Sequence, residues 1–132
     1  MTLDDVPQDL LKAARAARAR AYVPYSQFAV GSALRTNKGT VFAGCNVENA
    51  AYGLSRCAEQ SAVLAMVNAG ETIIDEILVI GDHVEPVSPC GACRQIIWEF
   101  GKDTTVYMLS EAGEVAVLSS RELLPLGFIL NS

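Results

Sequence analysis

IIDEILVIG, Ile73 to Gly81, ends in a continuous apolar run and does not alternate. A strand with one wet face alternates. A central parallel strand covered on both faces does not. This stretch therefore points to an α/β fold, and its neighbours agree. Upstream, residues from about Cys57 to Asn68 read as a helix closed by Gly70. That helix is apolar nearly all round, as a helix buried on several sides is. Such a helix in so short a chain reaches both the core and a subunit interface. Downstream, a Pro-containing loop leads to Cys90, and a helix runs on to Phe100 with Gly101 beyond.

Further out, residues 7–22 read as a first helix with Leu10, Leu11, Ala14, Ala17 and Ala21 in one stripe, stopped by Pro24. Phe28 to Arg35 and Thr40 to Cys45 read as a hairpin around Asn37-Lys38-Gly39. Thr104 to Ser110 and Glu114 to Leu118 are two more strands. Ser119-x-x-Glu122 is a capping box opening a short last helix, which Pro125 and Gly127 end. The order α-β-β-α-β-α-β-β-α fits a three-layer α/β/α sandwich around a five-stranded mixed sheet. The strands joined through helices are expected to have right-handed crossovers.

The 132 residues suit one domain, 1–132. Hydrophobic residues at 51% against 19% charged exclude a disordered chain and leave apolar surface for other subunits. The net charge is −5. Lys12, Arg15, Arg18 and Arg20 read as a solvated helix face, so nucleic acid is not an expected partner. No stretch is long enough to span a membrane, and none resembles a signal peptide. A cytoplasmic location follows as an expectation. There the four cysteines, Cys45, Cys57, Cys90 and Cys93, stay reduced, and metal or catalytic roles outrank disulfides.

Cys90-Gly-Ala-Cys93 alone has three readings: zinc ligands, a redox pair or two buried thiols. The redox reading wants a thioredoxin-like order of elements, which is missing. Cys57 and Cys90 both stand where helices begin, and helix N-termini stabilise thiolates. Three thiolates suit zinc and leave a fourth position open, as catalytic sites do. Cys45 and His83 are the candidates for a closing fourth ligand, although a core thiol and an exposed loop histidine are the plainer readings. Glu59, two residues after Cys57, would by itself be a carboxylate favourable to the helix dipole. The combination C-x-E…P-C-x-x-C is far more specific. It is the signature described for zinc deaminases with three thiol ligands, in which the glutamate is the acid/base.

At this point the sequence resembles the cytidine deaminases of the small, single-domain kind. YVPYSQFAVGSAL (Tyr22 to Leu34), GCNVENAAYGL (Gly44 to Leu54), CAEQSAV (Cys57 to Val63), VSPCGACRQ (Val87 to Gln95) and ELLPLGF (Glu122 to Phe128) match in order. The resemblance implies hydrolytic deamination of cytidine and 2'-deoxycytidine in pyrimidine salvage. It also implies one Zn²⁺ per subunit and a homotetramer with shared active sites. Cys57, Cys90 and Cys93 match the zinc ligands, and Glu59 the proton shuttle. Asn46 and Glu48 match residues that hold the ribose hydroxyls, and Phe28 one that packs on the pyrimidine. Val47 and Asn49 fall in the same substrate-binding segment. Ala50, Ala51, Tyr52 and Phe128 match residues that reach the substrate of a neighbouring subunit. The backbone N–H of Ala58 and the carbonyls near Ser88 and Pro89 would meet the base edge.

One position departs from many relatives, which carry arginine after the glutamate. Here it is Gln60, which donates hydrogen bonds to sulfur but brings no charge. Arg56 and Arg94 stand beside ligands and are the other candidates to offset thiolate charge. The expectation is that Gln60 and the two helix dipoles suffice. Two other functions fit less of the sequence. One is deamination of a modified cytosine nucleoside. The other is a non-catalytic module with a closed structural zinc.

Overall fold

A computed structural model describes residues 1–130. Helix α1 (Gln8–Arg18) buries Leu10, Leu11, Ala14 and Ala17 along one face. It stops before the expected residue 22. The chain turns out of the helix because Tyr22 pairs with the segment around Val47. The Tyr22 N–H donates to Asn46 O at 3.1 Å, and the Glu48 N–H donates to Tyr22 O at 2.9 Å.

Strands β1 (Val30–Thr36) and β2 (Val41–Cys45) form the expected hairpin. Gly39 at φ +83° makes its turn, a conformation that costs glycine nothing. β1 starts two residues later than Phe28 because the carbonyls of Phe28 and Ala29 bond to side chains, not to a strand. Helix α2 (Ala58–Asn68) follows with Cys57 as N-cap, then β3 (Ile74–Gly81). Helix α3 (Gly91–Phe100) has Cys90 as N-cap. Strands β4 (Thr105–Ser110) and β5 (Val115–Ser119) lead into α4 (Ser120–Leu123). The capping box is present: the Glu122 N–H donates to Ser119 Oγ, and the Ser119 N–H to Glu122 Oε1.

The sheet order is β2-β1-β3-β4-β5. β3 and β4 run parallel, and the other neighbours are antiparallel. Successive side chains of β3 point to opposite faces. Leu78 and Ile80 pack with α1 residues Leu10, Leu11 and Ala14. Ile77 and Val79 pack with Ala62, Val63 and Met66 of α2, Ile97 of α3 and Leu123 of α4. Both faces are filled, which is why the run is apolar without alternation.

α2 lies close over β2 because position 44 has no side chain. A Cβ on Gly44 would stand 2.5 Å from Ala62 N and 2.6 Å from Ser61 Cβ. Ser61 Oγ donates to Cys45 O at 2.9 Å and ties the helix to the strand end. The outer side of α2 leaves Leu64 and Val67 exposed.

Candidate active site

The starts of α2 and α3 bring three thiols together. Cys57 Sγ lies 4.0 Å from Cys90 Sγ, and Cys90 Sγ lies 3.4 Å from Cys93 Sγ. All three sulfurs fall within 4.8 Å of one another. Sulfurs around a tetrahedral zinc at ~2.3 Å stand roughly 3.8 Å apart, so the set fits zinc with little movement. Cys57 and Cys90 cap their helices without side-chain bonds to the helix N–H groups. Their thiols therefore remain free to meet a metal. Neither Cys45 nor His83 joins this cluster. The His83 ring stands edge-on to Phe28, with centroids 5.1 Å apart.

Charge is distributed unevenly over the thiols. Hydrogen bonding from Cys93 holds the Cys57 thiol below its ordinary range, helped by Cys90 and by the nearby Arg56. The buried Cys93 is pushed up, chiefly as the partner that keeps the proton. Gln60 Nε2 donates to Cys93 Sγ at 3.7 Å.

Glu59, in the first turn of α2, is 4% exposed. Burial, with a smaller push from the neighbouring Cys57, raises its carboxyl from the usual 4.5 to about 7. Its own backbone N–H and the Cys93 thiol pull the other way. A carboxyl titrating near neutrality can both take and give a proton.

Beside Cys57 opens a cleft of about 400 Å³ lined by Tyr25, Ser26, Asn46, Glu48, Asn49, Tyr52, Ser55, Arg56 and Cys57. Glu48 Oε1 accepts the Tyr25 N–H at 3.0 Å and the Ser26 N–H at 3.2 Å. Ser26 and these N–H groups hold its carboxyl below the usual range. The cleft thus gathers Asn46, Glu48, Asn49, Tyr52, Arg56 and Cys57 from the sequence expectation. Tyr25, Ser26 and Ser55 were not expected. Their role depends on Glu48 and Asn49, since Ser55 Oγ accepts the Asn49 N–H at 3.0 Å.

Other expected residues stand apart from this cleft. Phe28 lines a second hollow of about 290 Å³ with His83, Glu85, Pro86, Val87 and Ser88, next to the loop that enters Cys90. Val47 pairs with both Tyr22 and Arg56 and keeps its side chain exposed. Ala50 and Ala51 are exposed, and Ala58 is buried. Phe128 is held by its backbone. Its carbonyl accepts from Gln95 Nε2 and Trp98 Nε1, both at 3.1 Å, and its ring is exposed.

Arg94 does not face the thiols. Its guanidinium donates to Pro89 O at 2.9 Å, Ser88 Oγ at 2.7 Å and Leu123 O at 3.0 Å. It fastens the loop before Cys90 to the end of α4. Arg56 turns onto the carbonyls of Gly53 and Ser55, and its charge acts on Cys57 from there.

A site built this way belongs to the metal-dependent hydrolases. Soft ligands hold an ion, and the carboxyl kept out of water handles protons. Comparison with known proteins makes the assignment specific. The chain belongs to the cytidine and deoxycytidylate deaminase family, whose zinc-binding region matches residues 5–109. A cytidine deaminase of Halalkalibacterium halodurans is 45% identical over 122 residues, covering 92% of each chain. The crystal structure of a Burkholderia pseudomallei cytidine deaminase superposes with a TM-score of 0.89 at 47% identity, covering 93% of this chain and 99% of that one. A blasticidin-S deaminase of Bacillus cereus is 30% identical over 110 residues, covering 77% of this chain and 78% of that protein. The family is zinc-dependent, and the thiol cluster fits that metal.

Proposed function

We propose that residues 1–132 form one catalytic domain that hydrolyses cytidine and 2'-deoxycytidine to uridine and 2'-deoxyuridine plus ammonia, in pyrimidine salvage. The observation that carries this reading is Glu59, a carboxyl buried beside Cys57 and Cys93 and titrating near neutrality. Cys57, Cys90 and Cys93 hold zinc. When bound, zinc supplies a water that ionises near neutral pH, held in a fixed position.

Glu59 takes a proton from the attacking water and delivers it to N3 of the base, which makes C4 more electrophilic. It then takes the remaining proton from the hydroxyl added at C4 and passes it to the departing amino group, so that the C4–N bond breaks, ammonia leaves and C4 becomes a carbonyl. Phe28 packs on the pyrimidine from the hollow beside Ser88. The Ala58 N–H and the carbonyls near Ser88 and Pro89 meet the base edge. Arg94 keeps that loop in place. Glu48 meets the sugar with its second oxygen, since the first is taken by two backbone N–H groups.

The assembly is a homotetramer in which Ala50, Ala51, Tyr52 and Phe128 reach a neighbouring subunit's site. The exposed Tyr52, Leu64, Val67 and Phe128 support this as apolar surface that contact with a neighbouring subunit would take out of water. A reducing, cytoplasmic setting suits a site of free thiols.

The test follows the absorbance loss on conversion of cytidine to uridine by zinc-loaded protein and by Glu59→Gln. Active wild type and a folded, zinc-loaded, inactive variant are expected. No turnover of any cytosine compound by zinc-loaded wild type refutes the reading. Similarity to a blasticidin-S deaminase supports a second reading, deamination of a modified cytosine nucleoside. Running blasticidin S in the same assay distinguishes the two.

A further inference from the structure

Asn46 lines the cleft, yet both ends of its side chain are already engaged. Oδ1 accepts the Val30 N–H at 2.9 Å, and Nδ2 donates to Phe28 O at 2.8 Å. Its backbone N–H donates to Val30 O at 3.2 Å. One side chain therefore clasps the peptide groups on the C-terminal side of Phe28.

The other groups around Phe28 are fixed as well. The Phe28 N–H donates to Ser26 Oγ at 3.0 Å, and Arg18 Nε donates to Ala29 O at 3.1 Å. Between Ser26 and Phe28 the chain passes through Gln27 at φ +58°, a region that non-glycine residues seldom occupy. The Gln27 N–H is held by Val23 O at 3.0 Å. A residue stays in such a conformation where the surroundings over-determine it. Packing locks the ring beyond: a Cβ on Gly81 would lie 3.0 Å from Phe28 Cζ and 2.9 Å from a Val87 methyl. Little slack remains, so moving the Phe28 peptide moves the ring.

We propose that Asn46 is a positioning residue for Phe28, so that its main contribution to turnover is felt at the pyrimidine and not at the sugar. This rests on the nucleoside deaminase reading. Asn46 keeps one N–H and one lone pair unused. These suffice for a sugar contact, but they are the smaller part of its bonding.

The test pairs Asn46→Ala with two substrates, cytidine and 2',3'-dideoxycytidine, which lacks the 2'- and 3'-hydroxyls and keeps the 5'-hydroxyl. kcat/KM is measured for each, with the inhibition constant of the dideoxy compound against cytidine replacing it where turnover is too slow. Losing two hydrogen bonds that set the ring is expected to lower both values by the same factor, about 10- to 30-fold. A loss with cytidine and none with the dideoxy compound overturns the proposal. A double-mutant cycle gives a second readout that does not need the single variant to be fully stable. In a Phe28→Leu background, Asn46→Ala is expected to cost less than about threefold further. Full additivity of the two losses overturns the proposal. Wild-type turnover of cytidine tests the underlying function separately, so the two failures are distinguishable.

Discussion

Gly44→Ala puts a methyl group where α2 crosses β2, and its effect should reach the metal site. The added carbon would stand 2.5 Å from Ala62 N, 2.6 Å from Ser61 Cβ and 2.8 Å from Ser61 C. Comfortable carbon contacts begin near ~3.5 Å, so helix and strand must part by about 1 Å. The obstructing atoms are mostly backbone and cannot rotate away. Overpacking of this kind costs about 1–3 kcal/mol, and the upper end applies here. α2 also carries Glu59 and is capped by Cys57. A displacement of about 1 Å at reacting groups lowers turnover on the order of 100-fold. Urea unfolding and kcat with cytidine, both on zinc-loaded protein, measure the two effects. Gly53→Ala is the steric control for stability, because nothing lies within 4 Å of that added carbon. A Gly44→Ala protein within about 0.5 kcal/mol of wild type, with unchanged kcat, would refute the close helix–strand contact and its link to the site.

Glu59→Gln should stabilise the metal-free protein in a pH-dependent way. The wild-type carboxyl is raised from 4.5 to about 7, so below pH 4.5 it is protonated folded or unfolded and the variant gains nothing. Between pH 4.5 and 7 the folded state resists ionisation, and wild-type stability falls by about 3 kcal/mol relative to the variant. Above pH 7 the difference is constant. Parallel urea titrations from pH 4 to 8 at one protein concentration measure it, and a difference that does not change with pH counts against the burial argument. Cys93→Ser should lose bound zinc, while Cys45→Ser should keep one zinc per chain, because Cys45 stands outside the thiol cluster. Metal analysis after dialysis decides, and equal zinc loss in both variants would disprove the three-thiol set.

Local chemistry explains what was legible in the sequence. The unbroken apolar run of β3 reports two covered faces, and both α1 and the α2/α3 layer are there to cover them. Ser119 and Glu122 announce a helix start through side-chain bonds three residues apart, which any chain with that spacing can make. The thiols were legible because Cys57 and Cys90 had to stand at helix starts. Features set by distant pairing were hidden. α1 ends at Arg18 because Tyr22 finds partners around Val47. Tyr25 and Ser26 enter the cleft because Glu48, more than twenty residues on, accepts their N–H groups. Arg94 directly follows the cluster thiol Cys93 in sequence, yet it turns to Pro89 and Leu123. Burial of a flat cation is settled by which carbonyls lie within reach, and that is a property of the folded loop.

The thiols also have a mechanical consequence. Cys57 and Cys90 are 33 residues apart, and the chain between them includes α2 and the central strand β3. An ion gripping both ends is a removable cross-link, closing a loop that the unfolded chain would otherwise leave open. Closing a loop of this length by a covalent bond restricts the unfolded chain by roughly 3–4 kcal/mol. Chelation should therefore lower the stability of the whole fold as well as silence the site, and zinc supply would govern how long the protein lasts as much as how fast it works.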